Sequence, residues 1–103
     1  MNLIQQLFGG STPINLKAII DESAFLVDVR TAGEFAEGHV KGSVNIPLPT
    51  VQAQLEKFKN RKNIVVFCRS GARSSQAKSI LEQNGITNVV NGGTWVDVNQ
   101  FVR

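Results

Sequence analysis

The chain has 103 residues, with 11 Lys and Arg against 8 Asp and Glu, one histidine and one cysteine. That length suits one domain and leaves no room for two, and at 42% apolar and 18% charged residues the chain is neither disordered nor a membrane protein in composition. A single cysteine excludes an intramolecular disulfide, a Cys-x-x-Cys redox pair and an all-cysteine zinc site; with His39 the only histidine, no metal site is expected.

Met1–Gly10 carries no basic residue and only a broken apolar stretch, so it fits neither a signal peptide nor a transit peptide. No apolar run approaches the length of a membrane helix. The chain begins with Met, and the expected location is the cytoplasm, where a lone thiol stays reduced. Asn15 can cap a short helix with apolar positions Leu16, Ile19 and Ile20. Ala24–Val29 is a short, nearly continuous apolar run, the pattern of a strand buried on both faces. Thr31–Glu37 predicts a short helix stopped by Gly38, and Ser43–Ile46 a second strand ended by Pro47 and Pro49. Thr50 then caps a predicted helix over 51–58, with Val51, Leu55 and Phe58 at helical spacing.

The run Lys57, Lys59, Arg61 and Lys62 holds much of the basic excess. The first 51 residues have three Lys and Arg against five Asp and Glu; the remainder has eight against three. Only Phe58 interleaves with the run, whereas a stacking platform for nucleic acid needs several aromatics. A solvated surface is the reading, with no nucleic-acid or membrane partner expected. Asn63–Phe67 is the most apolar run and the best candidate for a central strand. A helix over 72–84 follows, with Ala77, Ile80 and Leu81 inward and Gly85 as its stop. Thr87–Val90 is the last strand, and Gly92-Gly93 turns the chain into a closing helix over 95–101. Alternating strands and helices mean an α/β fold with a mainly parallel sheet.

In open parallel sheets, ligands bind beyond the carboxyl ends of the strands. The central strand ends at Cys68, and Cys68-Arg69-Ser70-Gly71-Ala72-Arg73 leads into the next helix. A helix N-terminus carries unpaired N–H groups and partial positive charge. Successive amides in a tight loop form an anion nest, and Gly71 permits positive φ there. Arg69 and Arg73 add two permanent charges. All three effects favour thiolate over thiol and attract an anionic substrate. A buried core cysteine is the bland alternative, but such a residue does not need two arginines and a glycine in the next five positions. Ser70, Ser74 and Ser75 can cap the helix or donate to a bound anion.

These residues resemble the rhodanese domain family. Asp28-Val29-Arg30, Glu34-Phe35, Gly38–Ser43 and Asn45-Ile46-Pro47 look like the signature that precedes the active site of rhodanese domains. Cys68–Ser74 is similar to their active-site loop, and Gly92-Gly93 with Trp95 to their C-terminal signature. The resemblance covers residues 12–101, with 1–11 as an N-terminal extension of a single domain of the single-domain type. It implies a three-layer α/β fold with a five-stranded, mainly parallel sheet and helices on both faces. It also implies a thiosulfate sulfurtransferase that moves a sulfane sulfur through a Cys68 persulfide.

Carried over by residue, Cys68 is the nucleophile. The amides of Arg69, Ser70, Gly71, Ala72 and Arg73 hold the persulfide; Arg73 fixes the loop, and Arg69 meets the sulfonate at the mouth. Asp28, Arg30 and Ser74 support the loop, and His39 and Trp95 are structural. No cofactor is implied; the partners are a small anionic sulfur donor and a thiol or protein cysteine as acceptor. Ser43 stands where alanine is usual, and the C-terminal signature has no aromatic beyond Trp95 until Phe101. Two alternatives differ in class. A cysteine phosphatase needs a loop one residue longer, Cys-x5-Arg, to wrap a phosphate. A non-enzymatic rhodanese-like binding or regulatory module has no need of the intact Cys68 loop.

Overall fold

The computed structural model describes residues 15–102; the N-terminal extension 1–11 therefore lies outside the described residues. Helix α1 spans Leu16–Asp21, and the Asn15 side chain accepts the Ala18 N–H as its cap. Strand β1 (Phe25–Asp28) leads to α2 (Ala32–Glu37) and the two-residue strand β2 (Val44–Asn45). Strand β3 (Ile64–Cys68), helix α3 (Ala72–Gln83), strand β4 (Val89–Thr94) and helix α4 (Trp95–Asn99) complete the order. The sheet runs β2-β1-β3-β4 with every pairing parallel, so the apolar run 64–68 is interior, as expected. No described helix is long and apolar enough to cross a membrane.

Two expectations are corrected. Among the described residues the sheet has four strands, not five. The four strand segments read from the sequence each supply one strand, the last shifted to Val89–Thr94 so that Gly92 and Gly93 lie within it rather than in a turn; the fifth came only from the resemblance. The helix expected over 51–58 is instead 3-10 structure, in pieces over Leu48–Thr50 and Gln52–Phe58. Pro47 and Pro49 restrict the entry, and Gln54 breaks the helix with φ −121° and ψ 29°. Thr50 caps nothing: its hydroxyl donates back to Pro47 O at 2.8 Å. Val51 and Phe58 are still buried: past the break at Gln54, Leu55 and Phe58 lie one 3-10 turn apart and pack on the same core as Val51.

All five residues of β3 are buried. Ile64, Val66 and Cys68 face a core built with Val51, Phe58, Ala77 and Leu81; Val65 and Phe67 face the opposite core with Val98, Leu16, Ile19 and Trp95. The period of two along the strand divides one apolar run between the two layers. A bulge interrupts the β3–β4 ladder, with Val66 opposite Asn91 but Phe67 opposite Gly93. Gly92 is the extra residue. A Cβ there would lie 2.8 Å from Val98 Cγ2 and 2.9 Å from Val65 Cγ1, so only glycine fits between the helix and the sheet. The bulge turns Asn91 toward the carboxyl end of β3, where the thiol sits.

Candidate active site

Cys68 ends β3, and α3 begins four residues later. Gly71 takes the left-handed conformation, φ 98°, at the N-cap position. This turns its N–H onto Cys68 Sγ at 3.0 Å, and the Ser74 N–H points at the same sulfur from 3.4 Å. The Ser74 hydroxyl lies 3.5 Å from Sγ. Burial is the largest influence on the thiol and pushes it up. The Ser74 hydroxyl and the amides of Ser74, Gly71 and Ser70 outweigh burial, and the net effect holds Cys68 below the ordinary cysteine value. Of the amides expected to hold the sulfur, that of Gly71 lies within hydrogen-bond distance of Sγ, and the Ser74 N–H, one residue beyond the expected set, joins it.

The expected arginine contribution is smaller. Arg73 directs its guanidinium at Glu34, with Nη1–Oε1 2.7 Å and Nη2–Oε2 3.0 Å, which ties the first turn of α3 to α2. That hydrogen bond is the main reason the Arg73 pKa is raised, with burial opposing it; the Cys68 charge adds less. Arg69 is exposed and lines a cleft of ≈ 330 Å³ with Arg30, Glu34, Glu37, Gly38 and Trp95. Ser70 and Ala72 are exposed, and Ser74 is fully buried. Cys68 itself is fully buried, so it is a core residue and a loop residue at once.

Asp28 and Arg30 form a buried pair at the end of β1, 2.7 Å apart. The Asp28 carboxylate accepts from the Arg30 backbone N–H, Nε and Nη2. Arg30 Nη2 also donates to Gly38 O, and its guanidinium lies 4.7 Å from the Trp95 ring centroid. The pair thus joins β1, the end of α2 and the start of α4, beside the loop rather than in it. His39 stacks on Phe35 with ring centroids 3.8 Å apart, and its Nδ1 lies 2.8 Å from Phe35 O.

Glu34 and Asn91 belong to this constellation, although their positions in the sequence assign them no role there. Glu34 also completes a capping box with Thr31, the N-cap of α2. The spacing Thr31-x-x-Glu34 is the signal for that box. The Arg73 hydrogen bond first, then those from Thr31, hold the Glu34 carboxyl down at about 2. Asn91 Oδ1 accepts from Ser74 Oγ at 2.7 Å and from the Gly93 N–H at 2.9 Å. A polar residue interrupting the apolar run Val89-Val90 is its only mark in the sequence.

A buried thiol ringed by amides at the end of a central parallel strand narrows the choice of family, and one family model decides it: the rhodanese-like domain matches residues 12–94. The chain belongs to the rhodanese-like domain family. This rhodanese-like domain is 38% identical over 74 residues to the thiosulfate sulfurtransferase PspE of Escherichia coli, covering 70% of this chain and 71% of that one. It is 36% identical over 70 residues to a sulfurtransferase of Allochromatium vinosum, covering 68% of this chain and 65% of that protein. Among solved structures, an E. coli rhodanese with anions is 37% identical with a TM-score of 0.65, covering 72% of this chain and 89% of that one.

Proposed function

We propose that this rhodanese-like domain is a sulfurtransferase that carries the moving sulfur as a persulfide on Cys68. The observation that carries the reading is the set of polar groups around Sγ: the Gly71 N–H at 3.0 Å and the Ser74 N–H at 3.4 Å as donors, with the Ser74 hydroxyl 3.5 Å away. The two amides favour the thiolate before any substrate arrives, and the hydroxyl can turn its proton to the sulfur once charge develops there. The thiolate attacks the outer sulfur of thiosulfate; the S–S bond of the donor breaks, and sulfite leaves with its electron pair. A thiol or protein cysteine, as thiolate, then attacks the outer sulfur of the persulfide and returns the electron pair to Sγ. This is covalent catalysis by a ping-pong route. The amides of residues 69–73 are fixed by the turn into α3, so they stabilise the charge with little reorganisation.

Arg69, exposed at the edge of the cleft, meets the sulfonate end of the donor. Arg73 holds the loop through Glu34. Asp28 and Arg30 keep the neighbouring strand end in place, and His39 has no part in the chemistry, because the thiolate needs no general base. Sγ is buried in the resting structure. The loop therefore yields when a donor approaches, and the Arg73–Glu34 latch, partly open to water, is where it does so. A reducing compartment such as the cytoplasm suits an enzyme whose one thiol must remain free.

The test is direct. Purified protein incubated with thiosulfate and desalted gains the mass of one sulfur atom, and cyanide then releases that sulfur as thiocyanate. Cys68→Ser gains nothing. Wild-type protein that acquires no sulfur and forms no thiocyanate would sink the enzyme reading and favour the non-enzymatic binding module.

A further inference from the structure

The Ser74 hydroxyl is fully buried and faces three acceptors: Asn91 Oδ1 at 2.7 Å, Gly71 O at 3.0 Å and Cys68 Sγ at 3.5 Å. A serine hydroxyl has one proton to give. The Asn91 amide is oriented by its neighbours: Oδ1 takes the Gly93 N–H at 2.9 Å, and Nδ2 points at Gly71 O, 3.5 Å away. A flipped amide would set its NH2 against the Gly93 N–H and its oxygen against Gly71 O. With that orientation, a 2.7 Å approach of hydroxyl to amide oxygen has the serine proton between them. Ser74 then turns a lone pair toward the sulfur, which suits a thiol S–H and repels a thiolate. To stabilise the thiolate, the hydroxyl has to swing its proton away from Asn91.

We propose that Asn91 and Ser74 form a one-proton rotor beneath Cys68, in which Asn91 is a positioning residue that competes with the sulfur for the Ser74 proton. Asn91 acts on the sulfur only through Ser74. While Sγ is a thiol the proton stays with Asn91; when charge develops on Sγ it turns to the sulfur. If the persulfide reading above holds, the rotor turns back on loading, because the negative charge then sits on the outer sulfur, and turns again when the acceptor returns the electron pair to Sγ. No proton leaves serine in any of these steps; one hydrogen bond is exchanged for another.

The charged groups about the thiol lie outside this hydrogen-bond chain. From α3 comes Arg73, held by Glu34 of α2; from the end of β1 comes the Asp28–Arg30 pair; the loop contributes Arg69. Strand β4 presents Thr94 opposite Cys68, and Asn91 is uncharged. Replacing Asn91 by alanine therefore alters the rotor without adding or removing a charge.

The experiment titrates the single cysteine. The rate of Cys68 alkylation by iodoacetamide is followed against pH, with thiolate absorbance as a second readout and no sulfur donor present. The midpoint reports the thiol's ionisation, and the plateau reports access to the buried sulfur. Asn91→Ala is expected to lower the midpoint by roughly half to one pH unit, the shift expected for one neutral hydrogen bond. Ser74→Ala is expected to raise it by a similar amount. In the Ser74→Ala background, Asn91→Ala should have no further effect, an outcome that a merely structural role would not produce. An unchanged or raised midpoint in Asn91→Ala, or an equal shift in both backgrounds, overturns the rotor.

Should Asn91→Ala fail to fold by circular dichroism, Asn91→Asp replaces it. The stronger acceptor must raise the midpoint, and by more with Ser74 present than without it; any other result overturns the rotor. Because no donor is added, this titration is decided separately from sulfur loading by thiosulfate. Failure of the rotor and failure of the sulfurtransferase reading are thus distinguishable.

Discussion

Two arginine–carboxylate pairs flank the loop that holds Cys68, and both close to 2.7 Å. Their surroundings differ. In Arg30–Asp28 the side chains are 5% and 0% exposed; in Arg73–Glu34 they are 33% and 26% exposed. At equal separation, the dielectric around a pair decides its consequences. The buried pair cannot lose one member without leaving the other charged and dry. The open pair can exchange its partner for water. One therefore belongs to the frame of the fold, and the other to the part that yields in the mechanism proposed above. The three atoms of Arg30 that bond Asp28 and its bond to Gly38 O leave it no freedom, whereas Arg73 holds a single carboxylate.

The largest effect expected from this contrast is that of Asp28→Asn. It leaves a guanidinium buried without a counter-charge, a change that costs about 3–5 kcal/mol. A typical domain has a total stability of about 5–15 kcal/mol, so this loss consumes much of it. Urea unfolding measures it directly. A loss under about 1 kcal/mol would show that water reaches the pair, and the contrast with Arg73–Glu34 would disappear.

Trp95 tests a second layer of the same frame. The Arg30 guanidinium sits 4.7 Å from its ring centroid, on the wall of the cleft that Arg69 shares. Trp95→Leu keeps an apolar side chain but removes the π face. The expected cost is about 1–2 kcal/mol, less than for Asp28→Asn, because the charge keeps its carboxylate. Equal costs for the two variants would mean that ring and carboxylate share the burden of holding Arg30.

The two pairs also differ in how visible they are in the sequence. Asp28 and Arg30 are two residues apart at the end of an apolar strand run, so a local reading places them together. The β3 strand, its loop and the start of α3 are legible for a similar reason: a continuous apolar run, a thiol and a glycine follow one another directly. Arg73 and Glu34 are 39 residues apart, and Ser74 and Asn91 are 17 apart. Only the sheet order brings those partners together, and no local pattern records it. The 3-10 structure over 52–58 was hidden differently: Val51, Leu55 and Phe58, four and three residues apart, have the spacing of an α-helix, whereas the chain kinks at Gln54. The resemblance supplied the family and the loop, but it carried a strand count that the described residues do not have.

The smallest effect, and the one that most sharpens the contrast, is expected for Glu34→Gln. Its folded-state pKa of about 2 lies below the ordinary 4.5, chiefly because of the Arg73 hydrogen bond. A carboxyl depressed in the folded state stabilises the fold above the unfolded value and loses that contribution as pH falls through the folded value. Wild-type protein should therefore show a modest Tm advantage over Glu34→Gln above about pH 4.5, narrowing between there and about 2 and vanishing below. Because the pair is open to water, added salt should shrink the same gap at neutral pH. A gap that persists unchanged to pH 2 would show that the difference does not rest on the ionised carboxylate, because glutamine can still accept the Thr31 N–H in the capping box. A gap that closes on schedule while sulfur transfer remains intact would identify Arg73–Glu34 as a latch that the loop can open, set against the Asp28–Arg30 pair that it cannot.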